Sequence, residues 1–578
     1  MASSFLGLYV QREALLISQK ALDITGNNIS NINTEGYTRQ RVDICSVANV
    51  KGTLGYNTSI TLAGKGSEAV GVAQIRDRLL DTKVRNYSGD LCDVGTKMST
   101  LADVEDVFDA IETDELGASF ASIVNQFKES LQGFSVDNAD RAEMANIAMN
   151  NAESLVQAIV NYDSKLTDIS QQVLGDTQAT VNRTNAILAE MGSLNKQIKD
   201  AYISMGYIES DEGNYHVMND YGPLELKDQF HSLLDELSQY GNMHVKEEND
   251  GTFTVEFANQ LVVSNDKYAQ MATTKENPAP TELAYEITST LYNKDEWFDL
   301  STKNNTGSDK QLLVRSGLAG ATVNISGKDG NGEYLLDTGS LRGSLDVYNG
   351  RGIFAETVVD AKGNTDITNP YQGIEYYRDM LNSFVKTVSD EMNGIFSSVV
   401  RKDDQGNDVV SSFKIFEYGD DFRTAAQKFR VAKDWEDYPE LISNPTKSNQ
   451  FAELDNGYIQ KMLGVLGSPQ KYGDTRVDAN GADASVYVPQ ELTPEKFVAH
   501  ICENLGTQVE YETGVYNATD IMLTSVETSR SEVMDVSMDE EGINMMNYQK
   551  WYNAISRMIT TLDDALDKLI NGTGRVGL

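Results

Sequence analysis

The sequence predicts an α+β multidomain chain. It has paired terminal helices of coiled-coil type, a long helical bundle domain and one or more β-rich outer domains, along a path that goes out and returns. Three observations predict it. Both ends carry apolar residues at heptad spacing, the stretch from Leu101 to Ile198 keeps a three-four apolar rhythm, and Val245 to Phe257 alternates apolar with polar around a turn. A chain of 578 residues is too long for one hydrophobic core, so about two to four domains are expected.

The first element is a helix with two apolar sides. Leu8, Leu15, Leu22 and Ile29 recur every seven residues, and Val10, Ala14, Ile17, Ala21 and Ile24 form a second stripe. A helix lying on one domain surface needs a single stripe, so two imply burial by a partner helix and by something further out. Gly26, Asn27, Asn28, Asn31, Asn33 and Gly36 then stop the helix, being residues that accept left-handed backbone or bond their own neighbours. Tyr37 closes this loop. Arg41 to Gly71, rich in Thr, Gly and Ser, reads as extended connecting structure.

From about Asp77 the pattern is helical. Leu101, Val104, Phe108 and Ile111 are followed by Phe120, Ile123, Phe127, Leu131 and Phe134, then by Ile159, Tyr162, Leu166, Ile169 and Val173. After a polar interval, Ile187, Met191, Leu194 and Ile198 resume the rhythm, so two or three long helices are expected side by side. Residues 203 to 370 change character: a hairpin is expected at Asp250-Gly251, and further short strands and Gly-rich turns through Gly339 to Val347. A helix returns at Tyr371 to Ser398, and Arg401 to about Gln490 is mixed and loop-rich. The last element is a seam of Met545, Tyr548, Tyr552, Ile555, Ile559, Leu562, Leu566 and Leu569, about 36 Å long at 1.5 Å per residue. Asp539-Glu-Glu541 precedes it, where negative charge suits a helix N-terminus. The expected division is a terminal polymerisation domain (1–50 plus 530–578), a mainly helical domain (51–210, 371–400 and 491–529), a strand-rich region (211–370) and a mixed outer region (401–490).

Charge and motif content exclude several functions. The net charge of −39 argues against nucleic acid or anionic membrane as a partner, since both are bound through Lys and Arg. Residues 1–45 and 535–578 together carry only −3, so the charge sits on the middle of the chain. Near-neutral ends suit packing against copies and an acidic middle suits water. No run of about 18 apolar residues offers a membrane span, and the first 30 residues lack a basic n-region and a cleavage site, so export without a cleaved signal is expected. Cys45, Cys92 and Cys502 are too scattered for a disulfide framework or metal cluster. The four histidines make no metal spacing, and neither a phosphate-binding loop nor a nucleophile elbow is present. Asp329 to Glu333 and Asp403 to Asp408 lack the Gly and Glu that a calcium loop needs at its sixth and twelfth positions, and read as solvated hairpin turns. No catalytic, cofactor-binding or metal site is expected, and the chain reads as a non-enzyme.

The loop Thr25-Gly-Asn-Asn-Ile-Ser-Asn-Ile-Asn-Thr-Glu-Gly-Tyr-Thr-Arg-Gln40 resembles the N-terminal signature of bacterial flagellar rod, hook and hook-associated proteins, and Gly36-Tyr-Thr-Arg-Gln40 points within that family to its hook-associated members. Val536-Ser-Met-Asp-Glu-Glu541 with Tyr548-Gln549 resembles the family's C-terminal signature, and Gly343-Ser-Leu-Asp-Val347 before the returning helix also fits. The resemblance implies a structural protein at the hook-filament junction. Its terminal helices would pair and polymerise into a ring, and its partners would be copies of itself, the hook protein and a second junction protein. It further implies type III export and a cytoplasmic chaperone on the C-terminal helix. Terminal helices without a packing partner are marginal in water, so both ends are expected to be disordered before assembly. The alternatives are a hook or distal rod protein and, from a different class, a secreted adhesin or hydrolase with flagellar-type ends.

Overall fold

The computed structural model describes residues 2–46, 66–110, 119–133, 141–204, 208–211, 214–217, 222–248, 250–276, 279–288, 311–316, 321–324, 333–355, 357–359, 365–367, 369–397, 399–402, 408–411, 413–437, 439–442, 457–474 and 485–572. Its first elements are α1 (Ala2–Ser30), an antiparallel hairpin of β1 (Gln40–Ser46) and β2 (Ser67–Gln74), then α2 (Arg78–Ala110), α3 (Phe120–Gly133) and α4 (Arg141–Ser204). Three helices thus fill the expected bundle, and α4 is a single helix of 64 residues, about 96 Å long. The polar interval between Val173 and Ile187 does not interrupt it. Val181 is buried there, and Thr177 and Thr184 turn their hydroxyls back onto the carbonyls of Val173 (2.7 Å) and Thr180 (2.9 Å), so these buried polar groups are satisfied within the helix.

The two ends of α4 belong to different cores. Its first half, with Leu155, Ile159, Tyr162 and Leu166, packs with α2 and α3 and with the helix α7 described below. Its second half, with Ile187, Met191, Leu194 and Ile198, packs with α5 (Leu224–Leu237) and a sheet. Between α4 and α5 lies the small hairpin of β3 (Ile208–Asp211) and β4 (Asn214–Val217). The sheet contains β5 (Met243–Glu247), β6 (Phe253–Phe257), β7 (Gln260–Ser264), β8 (Lys267–Glu276), β9 (Ala279–Thr288), β10 (Gln311–Ser316) and β11 (Ala321–Asn324), each beside the next. Neighbours run antiparallel except β9 and β10.

The β5–β6 hairpin turns at Asp250-Gly251 as expected. Gly251 has φ +79°, and a Cβ there would lie 2.3 Å from the Tyr202 ring, so both conformation and space require glycine. The segment Gly339 to Val347 corrects the sequence reading: Ser340–Asn349 is a helix, α6, not strand and turn. Leu341 and Leu345 share its buried face, and Arg342 pairs with Asp346 one turn later at 2.6 Å, so helical spacing outweighs the two glycines.

The returning helix α7 (Ile374–Ile395) buries Ile374, Tyr377, Leu381, Phe384, Val388 and Met392. Residues 413–437, 457–474 and 485–488, containing α8 (Lys433–Asp437) and α9 (Gly457–Gly467), fold back onto it, with Phe416 and Trp435 reaching Phe127 of α3. Val399–Lys402 pairs with Asp408–Ser411 as a hairpin, while the stretch from Asp329 to Gly332, Ile111 and Phe134 lie outside the described residues. The chain ends in α10 (Pro494–Met534) and α11 (Met538–Gly572). Helix α10 runs antiparallel to α2, as Gly506 beside Glu105, Tyr516 beside Gly95 and Arg530 beside Asp81 show.

Two asparagines of α4 dock the helix on the sheet. Asn195 is fully buried and donates to the Phe253 carbonyl at 2.7 Å while accepting from the Phe253 N–H at 2.9 Å. Asn185 makes the same two-way contact with the backbone of Met271. Replacement Asn195→Leu leaves a backbone donor and acceptor of β6 buried without partners. Denaturant unfolding should show a loss of about 2 to 4 kcal/mol; a loss under about 1 kcal/mol contradicts the clamp.

Candidate functional site: the paired termini

Helices α1 and α11 lie antiparallel in one register. Asn28 contacts Glu541 and Gly7 faces Leu562, and the same number of residues separates the members of each helix. On α1, Ile17 and Ile24 are buried with Ala21, whereas Leu8, Leu15, Leu22 and Ile29 are half-buried. Val10 packs against Gly66 beside β2, so the hairpin and α11 cover neighbouring sides of the same helix. On α11, Ile555 is buried, Tyr548, Tyr552, Ile559, Leu562 and Leu566 are half-buried, and Met545 is exposed. The side chain of Leu569 lies outside the described residues.

The signature loop is a hydrogen-bonded turn. Ser30 donates to the Gly26 carbonyl at 2.8 Å, and Asn31 donates to the carbonyl and side-chain oxygens of Asn27 at 2.9 and 3.0 Å. Gly36, at φ +77°, turns the chain back. Asn28 then acts as a strand neighbour would: its Nδ2 donates to the Gln40 carbonyl at 2.8 Å and its Oδ1 accepts from the Gln40 N–H at 3.0 Å. Tyr37 Oη also donates to Asn28 Oδ1, at 2.9 Å, and Asn27 donates to the Tyr37 hydroxyl at 3.3 Å. Burial, then Asp228, Glu225 and Glu541, push the Tyr37 hydroxyl up to about 12, so it remains a donor.

The next two residues, Thr38 and Arg39, carry the tie that joins the two ends of the chain. Arg39 Nε meets Glu541 Oε1 at 2.8 Å and its Nη1 meets Glu540 Oε2 at 2.6 Å. Glu541 is only 2% exposed, sits in the first turn of α11 and also accepts from Asn28 at 3.3 Å. The Arg39 N–H donates to the carbonyl of Met534, the last residue of α10. Thr38 donates to Asp228 of α5 through Oγ1 at 2.6 Å and through its N–H at 3.2 Å. One loop therefore fixes α1 against α5, α10 and α11. Thr38 and Arg39 lie in the Gly36–Gln40 signature but were assigned no contact there, and Asp228 and Met534 were not singled out by the sequence. The clue was the carboxylate pair at a helix N-terminus, which calls for a cation partner, although nothing in the sequence says which one.

Comparison with known families gives the same two segments. Residues 8–38 match the basal body rod protein model and residues 528–572 the C-terminal model of the rod proteins FlgEFG. Residues 101–308 match the helical domain of the flagellar hook-associated protein FlgK. Flagellar hook-associated protein 1 of Bacillus subtilis (strain 168) is 27% identical over 99% of both chains. Its counterparts in Salmonella typhimurium and Escherichia coli (strain K12) are each 22% identical over 96% of this chain and 97% of theirs. The solved hook junction protein FlgK of Burkholderia pseudomallei is 17% identical, with a TM-score of 0.39 over 58% of this chain and 47% of that one. A rod-type N-terminal segment tied to a rod-type C-terminal helix defines a structural subunit of the flagellar axis. With a match to the FlgK helical domain between those ends, and relatives matched along nearly their whole length, the chain is similar throughout to flagellar hook-associated protein 1.

Two outcomes are expected. Arg39→Ala leaves Glu541 buried beside Asn28 without its cation, and should cost about 2 to 4 kcal/mol in denaturant unfolding. Adding Glu541→Gln should recover part of that loss; purely additive losses contradict the tie. The second concerns pH. Burial outweighs the hydrogen bonds from Thr38 and the charge of Arg76, and pushes the Asp228 carboxyl up to about 6, against about 3.9 in an unfolded chain. Between those values the folded protein takes up a proton that the unfolded chain does not. This carboxyl therefore disfavours the fold above pH 6, and the penalty is relieved as pH falls towards 4. Asp228→Asn should remove that component of the stability-pH slope; an unchanged slope counts against it.

Proposed function

We propose that this chain is the structural adaptor that joins hook to filament in its flagellum, polymerising through α1 and α11. The observation that carries the reading is the Arg39–Glu541 tie, which makes one structural unit of the two segments matched to rod-type family models. Coverage of the seam supports polymerisation: among the described residues of α11 only Glu541 and Ile555 are buried. Met558 and Ile570 are more than half exposed on α11, as is Tyr9 on α1, with Leu16 close behind. Apolar surface of this kind on helices that already have one partner suits a second, supplied by neighbouring copies.

Its partners are copies of itself in a ring, the hook protein on one side and the second junction protein on the other. It leaves the cell through the flagellar type III apparatus without a cleaved signal, and a cytoplasmic chaperone holds the α11 seam beforehand. The terminal helices are disordered at their outer parts until assembly, since the α11 seam beyond Ile555 buries little in its own subunit and such a helix is marginal in water, while the Arg39–Glu541 tie holds their inner ends. Among the described residues no helix is long and apolar enough to cross a membrane. The work of the protein is mechanical, not enzymatic.

Deletion of the gene in its host tests the reading. Electron microscopy should show complete hooks without filaments, with flagellin lost to the medium, and the wild-type gene should restore filaments. Intact filaments overturn the junction assignment, and missing hooks move the protein to an earlier place on the axis.

A further inference from the structure

Helices α1 and α11 and the β1–β2 hairpin form a unit of their own. Helix α11 packs on α1, and α1 packs also on both strands of the hairpin. Among the described residues no element of this unit makes a packed contact of similar extent with α2, α5, α10 or β5, and neither hydrophobic core of the body includes a residue of it. The chain passes between unit and body twice, at 75–77 and at 535–537, each time outside any helix or strand.

The hydrogen bonds that join the two parts gather on one short strip beside those crossings. Thr38 donates to Asp228 of α5, and the Arg39 N–H donates to the Met534 carbonyl of α10. Gln74 Nε2 donates to the Leu224 carbonyl at 3.1 Å, and Arg76 meets Asp81 of α2 at 2.6 Å and Thr38 Oγ1 at 3.3 Å. Bonds gathered at one place hold the base of the unit without setting the direction of its axis. Open space borders the strip on two sides. One cavity, of about 800 Å³, has Val70 and Ala73 of the hairpin on one wall and Val245 of β5 on another. A second, of about 740 Å³, has Asn33 and Glu35 of the signature loop on one wall and Glu527 of α10 on another. Arg76 and His231 line both, and so form the partition between them.

We propose that this strip is a hinge, about which the terminal unit turns as a rigid body against the rest of the subunit, with the Thr38–Asp228 contact as its pivot. A close-packed interface resists rotation because displacement drives side chains into one another, whereas here the cavities give clearance on both sides. The two crossings are short irregular segments in which φ and ψ can absorb the turn. Rotation leaves the register of α1 on α11 and both cores intact, since none of them spans the strip. The inference rests on the reading of α1 and α11 as polymerising ends, and adds what the body does while those ends are held: it changes its tilt. Copies fixed in one end-to-end packing then direct their outer regions differently, as a junction between two different assemblies requires.

Gly36 supplies the test. A Cβ there would lie 3.6 Å from Cβ of Ser232 on α5, within the span of a disulfide, so G36C/S232C locks the unit to the body across the second cavity. The parent is the full-length chain with Cys45, Cys92 and Cys502 replaced by alanine, at a dilution that keeps it monomeric. Azide-bearing residues in place of Lys196 of α4 and Lys550 of α11, both exposed, carry the dyes for single-molecule energy transfer. Lys550 precedes Ile555 and so rides on the part of α11 that the Arg39–Glu541 tie holds. Dyes at Lys196 and Glu510, both in the body, give the width of a rigid pair. The parent and the reduced double variant should show a transfer distribution broader than that pair; oxidation should collapse it to one narrow peak, and reductant should restore it. A parent as narrow as the rigid pair, or equal widths before and after oxidation, overturns the hinge. Gly36 has φ +77°, so cysteine there can weaken the fold, and a second variant avoids that strain. Asp228→Ala frees Thr38 and should widen the parent's distribution; an unchanged width overturns the pivot. Ile559→Asp separates this inference from the reading beneath it. If that variant assembles in sedimentation as the parent does, the end-to-end reading fails, while the hinge, read on monomers, is decided by the transfer widths alone.

Discussion

The Arg39–Glu541 ion pair joins the first and last forty residues of the chain, and the rest of the structure depends on where it forms. Closing so long a path costs less than its length suggests, because loop entropy grows only with the logarithm of length, about 0.6 kcal/mol per doubling. The burial of Glu541 is the harder requirement. A carboxylate 2% exposed needs its charge answered on several sides, and here it has the guanidinium, the Asn28 amide and the N-terminal turn of α11. Replacing such a pair with apolar residues often leaves a protein as stable or more so, which makes net stability a poor reason for its presence. What the pair supplies is register. Leucine, isoleucine and methionine along two helices pack acceptably after a slip of one heptad, whereas a buried charge with one matching cation does not.

From that tie outward, rigidity is passed along helices. Arg39 fixes the junction between α10 and α11 through the Met534 carbonyl, and α10 runs against α2 for its length. Beyond them α4 belongs to both hydrophobic cores, with Tyr162 in one and Ile198 in the other. A single helix crossing two cores cannot kink sharply between them without breaking its own hydrogen bonds, and the buried threonine hydroxyls of its polar middle find their acceptors on its own backbone. Asn185 and Asn195 then fix the sheet to the helix through backbone atoms, which no side-chain substitution in the strands can remove.

Helix periodicity made much of this fold legible. Ile159, Tyr162, Ile187, Met191 and Ile198 are buried where the three-four rhythm puts them, and Asp250-Gly251 makes its hairpin. Two features were hidden, for different reasons. Gly339 to Val347 carries glycines that weigh towards turns, while the Arg342–Asp346 pair and the buried leucines that make it helical act only once neighbours cover them. The polar interval of α4 looked like a boundary because Thr and Gln count as polar in a periodicity reading, although a threonine in a helix can satisfy its own hydroxyl. The site was half visible. Gly36, Asn28 and the Glu540-Glu541 pair stand out by residue type, but the choice of Arg39 as partner, and of Asp228 beneath Thr38, is tertiary. Pairing across such sequence distances leaves no local pattern.

The graded burial of the terminal helices is itself a physical solution. If both stripes of α1 and the whole α11 seam were covered within one subunit, no apolar area would remain for a neighbour, and each buried Å² contributes only about 25 cal/mol. If all of it were bare, the free protein would aggregate before reaching its place. The structure divides the task. Ile17, Ala21, Ile24 and Ile555 are buried and hold the subunit's own ends together; the leucine stripe and Tyr548, Tyr552, Ile559, Leu562 and Leu566 of the seam are half-covered; Tyr9, Leu16, Met545 and Met558 face outward. For a subunit that polymerises, this places assembly energy on residues whose loss leaves the subunit folded. The register set by Arg39 and Glu541 ensures that every copy presents the same outward face.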